Sequence, residues 1–94
     1  MENEIELEKT IQLRKPITLG GVVYDKLELR EPTAGELEES SKATTSLGMV
    51  ISLIQIVAKV PKSVARGLCQ RDMQEANDFL ASFGKDSQRI GETQ

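Results

Sequence analysis

The chain has 94 residues, enough for one domain that buries about 60% of its unfolded surface and is therefore only modestly self-sufficient. Apolar residues make up 38% and charged residues 29%, a globular rather than disordered balance, while aromatics at 3% leave the core aliphatic. A net charge of -3 with no Lys/Arg cluster argues against a nucleic-acid footprint, and the lack of His removes the usual general base and metal ligand.

Ile5, Leu7, Ile11 and Leu13 alternate with polar residues and predict a half-buried strand, with Glu6, Glu8, Lys9 and Gln12 on its wet side. Ile17 and Leu19 lead into Gly20-Gly21, and Val22 to Leu29 leads out, so the paired glycines predict a primed hairpin turn with positive φ angles. Counting outward sets Leu19 opposite Val22 and Ile17 opposite Tyr24, and brings Ile11 and Leu13 alongside Leu27 and Leu29. Lys15-Pro16 and Asp25-Lys26 fall at matching heights, where a proline cannot donate a ladder hydrogen bond, so a bend or bulge is expected there. Arg30-Glu31-Pro32 ends the second arm. Thr33 to Glu36 then forms a capping box that opens a weak helix from Ala34 to about Thr44. The helix dipole explains Glu36, Glu38 and Glu39, whereas a metal or catalytic role would require convergent partners that the chain lacks.

Leu47 to Val60 predicts the central helix. Gly48, Ser52, Gln55 and Lys59 share one narrow stripe, and the apolar residues cover an arc of about 220°, twice what a surface helix needs. The hairpin and the final helix can cover one flank each. Alternatively, part of the arc stays open for a second copy or a partner helix. Val50 and Val57 sit mid-arc and are core in either case. Leu47, Ile51 and Ile54 form one flank, and Met49, Leu53, Ile56 and Val60 form the other. The Met49 flank is the expected partner-binding side, because methionine tolerates changing contacts and this flank lengthens toward Pro61. At 14 residues the run is too short to cross a bilayer, which takes about 20.

Pro61 stops that helix, and Ser63 is expected to cap a short turn through Val64, Ala65 and Leu68. Asp72, or Gln70 just before it, opens the last helix, with Met73, Ala76, Phe79, Leu80 and Phe83 on one face about 120° wide. Gly84 is expected to end it in a left-handed cap. Lys85 to Gln94 carries a single apolar residue, Ile90, and is expected to be a mobile polar tail. The predicted organisation is one domain over 1–84 with a tail over 85–94. The predicted fold class is α+β, an N-terminal antiparallel hairpin or small sheet packed on three to four helices. The acidic start MENEIELEK does not resemble a secretory signal, and the lone Cys69 fits a reducing compartment as a small buried hydrophobe.

No Ser, Cys or Thr has an activating neighbour, Glu38 and Glu39 point about 100° apart on a helix, and Gly20-Gly21 lacks the Lys-Ser/Thr of a phosphate loop. No enzymatic activity, cofactor, metal or small-molecule substrate is therefore expected.

The order of elements resembles the tail assembly chaperones of Mu-like and related contractile-tailed bacteriophages and prophages. The resemblance rests on the Ile11 to Leu13 strand, Pro16, Gly20-Gly21, Leu27 to Pro32 and the acidic start from Thr33 to Leu37. Leu47 to Val60, Asp72 and Phe83 continue it, so that it covers residues 5 to 83. It implies a non-enzymatic protein of the bacterial host cytoplasm that binds the tape measure protein, keeps it soluble while tube subunits assemble, and is absent from the finished virion. A wide aliphatic surface with Met and Leu suits the apolar stripes of a long helical client. The competing expectation is a small structural or regulatory domain whose apolar helix serves its own homodimer.

Overall fold

A computed structural model describes residues 7–92 of the backbone, and the side chains as far as residue 83. Ile5 and Glu6 of the expected first strand lie outside the described residues. The chain forms a two-stranded antiparallel hairpin, β1 (Glu8–Leu19) and β2 (Val22–Arg30). Four helices follow: α1 (Ala34–Ser40), α2 (Ser46–Ala58), α3 (Lys62–Arg66) and α4 (Gln70–Glu92). The class is α+β, as expected.

Gly20 and Gly21 form the turn with φ of 59° and 81°, and a Cβ on either would meet nothing within 4 Å, so backbone conformation and not space selects glycine here. Near the turn, Leu19 pairs with Val22 and Ile17 with Tyr24. Farther down, Ile11 pairs with Leu27 and Lys9 with Leu29, so the register changes between Gln12 and Ile17. Leu13, Arg14, Lys15 and Pro16 there stand against Asp25 alone, four residues against one. The expected irregularity is present at Pro16. Lys9, expected on the wet side, lies two residues from Ile11 and shares its face, opposite Leu29, where it is half-buried. Leu7 precedes the strand and is 61% exposed instead of half-buried.

The helices cover one face of the hairpin. Ile11 and Leu13 of β1 and Leu27 and Leu29 of β2 meet Ile54 and Val57 of α2, Ala65 of α3, and Ala76, Phe79 and Leu80 of α4. Each large aliphatic side chain of this kind contributes about 1.5–3 kcal/mol by leaving water. Phe79 and Phe83 add an edge-to-face ring pair with centroids 5.2 Å apart.

Several helix limits differ from the sequence reading. The capping box is formed, but α1 stops at Ser40, short of Thr44. α2 begins at Ser46, where the Thr45 hydroxyl accepts from the Gly48 amide at 2.9 Å, and it ends at Ala58. Lys59 then adopts φ 59°, and the amides of Lys59 and Val60 both donate to the Gln55 carbonyl, a left-handed cap before Pro61 acts. Ser63 caps nothing, since Pro61 holds the N-cap position of α3 without a side-chain bond. Gly84 does not end α4, which continues to Glu92, so helical backbone occupies 85–92 of the segment expected as a tail. Residues 93 and 94 lie outside the described residues.

Candidate functional site

The surface of α2 follows from how its core side is fixed. Ile54 and Val57 are fully inside, and Val50, Ile51, Leu53, Ala58 and Val60 pack partly against the same core. Ile54 lies on the flank opposite Met49, so the helix turns that opposite flank inward at its middle. Leu47 shares the inward flank but stands 54% exposed. Of the four residues expected to bind a partner, Met49 is 37% exposed, while Leu53, Ile56 and Val60 are half-buried. Leu53 and Val60 rest on the core, and Met49 and Ile56 lie outside that packed set. The four thus form a surface with a buried rim, of which Met49 is the open member.

The polar stripe of α2 is not its most exposed side. Gly48, Ser52 and Gln55 are half-buried, and a Cβ on Gly48 would stand 2.9 Å from the Thr45 Oγ1 and 3.2 Å from the Ala43 Cβ. Glycine at 48 therefore lets the turn after α1 close over the helix. α1 itself packs on α2 and presents Leu37, 49% exposed. A second apolar area lies at the hairpin end, where Leu19, Val22 and Val23 are 39%, 51% and 61% exposed. Sequence reasoning did not single it out. The available signal was the arm length: a strand that runs on past its helical cover must show both faces.

Two arginine–carboxylate contacts position these surfaces, and neither was read from the sequence. Arg30 closes β2 onto α1 by donating from Nη1 to Glu36 Oε1 at 2.9 Å and from Nη2 to Glu36 Oε2 at 2.7 Å. The Thr33 amide also donates to Glu36 Oε1. The Arg30 guanidinium and then the Thr33 amide hold the Glu36 carboxyl well below its ordinary range, from 4.5 to about 2. The other contact joins strand to helix across the chain. Asp72, in the first turn of α4, is completely buried; its Oδ2 accepts the amides of Arg14 at 2.8 Å and Lys15 at 3.4 Å, and its Oδ1 accepts Arg14 Nη1 at 2.8 Å. These amides belong to the stretch of β1 that the register change takes out of the ladder. Burial pushes the Asp72 carboxyl up, but the Arg14 side chain, the Cys69 thiol and the two amides outweigh it and keep it below its ordinary range. Cys69 is half-buried just before α4, and its thiol helps to lower the Asp72 carboxyl.

Among the described residues no group of three or more His, Cys, Asp or Glu could hold a metal ion, and no helix is long and apolar enough to cross a membrane. An open cleft of about 410 Å³ lies between the base of the hairpin and the end of α2, with Lys9, Glu28, Arg30 and Lys59 on its walls.

An aliphatic α+β domain with an open helical surface is the form of a protein-binding module. Residues 10–85 match the family model described as phage tail assembly chaperone proteins, E, or 41 or 14, and the chain belongs to that family. The family is a chaperone family with a role in phage tail assembly. No curated protein and no solved structure matches the chain.

Proposed function

We propose that this chain binds the tape measure protein during tail morphogenesis, holds its apolar helical stripes in solution while the tube assembles, and is left out of the finished virion. It does so in the host cytoplasm and without catalysis. The observation that carries this reading is the Met49 flank of α2: an adaptable apolar surface on a helix whose opposite flank turns Ile54 inward and whose mid-arc Val57 is locked in the core. Met49 can change contacts without disturbing the core.

The test uses purified chain and overlapping tape-measure fragments in a pull-down, with circular dichroism on each variant. Met49→Asp and Ile56→Asp are expected to keep the helical signal and lose the fragment. Val57→Asp is expected to unfold the domain by burying an unpaired charge. Binding at wild-type strength by both surface variants removes the Met49 flank as the site. Failure of the wild-type chain to hold any fragment removes the tape-measure reading itself.

A further inference from the structure

Each strand of the hairpin has one side without a strand neighbour among the described residues, and the two sides are treated differently. On β1, Pro16 lacks a donor, the register change interrupts the ladder, and Asp72 occupies the amides of Arg14 and Lys15. Those are ways in which proteins blunt a strand edge. β2 is nine residues without a proline. Among the described residues, none of its backbone groups hydrogen-bonds to a turn, a loop or a side chain. One edge is closed and the other is open.

We propose that β2 pairs antiparallel with β2 of a second copy, forming a four-stranded sheet about a two-fold axis at Leu27. This surface is distinct from the Met49 flank and does not depend on the tape-measure reading. Charge selects both the occupant and the register. An axis at Asp25, Lys26 or Glu28 sets that residue against itself, and like charges directly opposite repel. An axis at Leu27 instead places Lys26 of each copy opposite Glu28 of the other, two complementary pairs. It also keeps Leu27 and Leu29 of both copies on the same face of the sheet, as a slip of one residue would not. Lys26 and Glu28 are 53% and 70% exposed and 3.6 Å apart on their own strand, a solvated pair that can re-pair across an interface at little cost. The two copies of α2 stay apart. The end of α2 lies beside Glu28–Arg30. In this register the other copy's α2 lies beside Tyr24–Lys26, about 13 Å along the strand, which exceeds the ~10 Å width of a helix.

Sedimentation of the full chain across the micromolar range tests the pairing. The wild type is expected to dimerise, and Lys26→Glu and Glu28→Lys, each with an unchanged circular dichroism spectrum, are each expected to weaken the dimer by about tenfold or more. An equimolar mixture of the two variants is expected to dimerise again, because a copy with two glutamates then faces a copy with two lysines. A wild-type monomer throughout that range overturns the proposal. So do single variants that dimerise like wild type, and so does a mixture that stays monomeric. Dissociation by Met49→Asp and not by the charge variants places the interface on α2 and likewise overturns it.

Discussion

Arg30 and Glu36 meet across six residues at a partly exposed strand end, whereas Arg14 and Asp72 meet across 58 residues around a carboxylate with no solvent exposure. The chemistry is the same and the consequences differ. Glu36 has water as an alternative partner, and its neighbours keep one another's company through the capping box. Asp72 closes a defect: the register change strips two amides from the ladder, and the carboxylate replaces the strand they lost. A bent hairpin can therefore be tied to a helix through the groups that the bend sets free.

Removing each carboxylate measures that difference. Asp72→Ala is expected to cost about 3 kcal/mol in urea unfolding, since it leaves donors unpaired in a buried place. Asp72→Asn keeps an acceptor and is expected to lose less. Equal losses for the two variants would mean that packing, not amide capture, is what Asp72 supplies.

Glu36→Gln is expected to cost about 1 kcal/mol at neutral pH, the usual worth of a capping interaction. Acid separates it further. Because the Glu36 carboxyl is lowered from 4.5 to about 2 on folding, its contribution is complete above pH 4.5 and is lost as pH falls toward 2. The loss of stability between those limits is expected to be smaller in Glu36→Gln than in the wild type. Parallel acid profiles would show that this pair contributes nothing to folding.

The smallest effect is a gain. Lys59 carries the left-handed cap of α2 at φ 59°, where a Cβ is strained, and Lys59→Gly is expected to raise stability by about 0.5–1 kcal/mol in the same urea titration. A loss there would show that the lysine side chain earns its place at the cleft beside Arg30.

Gly20-Gly21, Pro16 and the Thr33 to Glu36 capping box were legible because each acts within a few residues, through conformational preferences written at that position. The inward side of α2 was legible in part. Periodicity gave its two flanks, but only the placement of the hairpin decided that Ile54 turns in while Leu47 of the same flank projects into solvent. Asp72 was legible as a helix start and not as a ligand for β1, since nothing near residue 72 records that Arg14 and Lys15 lack partners. Gly84 misled because glycine is permitted at a helix end without compelling one, and α4 passes through it. The Arg30–Glu36 contact lay within reach of reasoning: a strand-final arginine six residues before an N3 glutamate points back at it once the turn is drawn.

The 58-residue span of the Arg14–Asp72 contact also bears on the order in which the molecule assembles. Closing a loop of that length costs about 2 kcal/mol more in chain entropy than closing the six-residue Arg30–Glu36 loop. As the chain leaves the ribosome, the hairpin and α1 hold everything they need for their own turns and caps. The inner face of the sheet must still wait for Ala76, Phe79 and Leu80. Asp72 arrives just ahead of them, so the carboxylate that fastens the bend in β1 also brings in the helix that covers it.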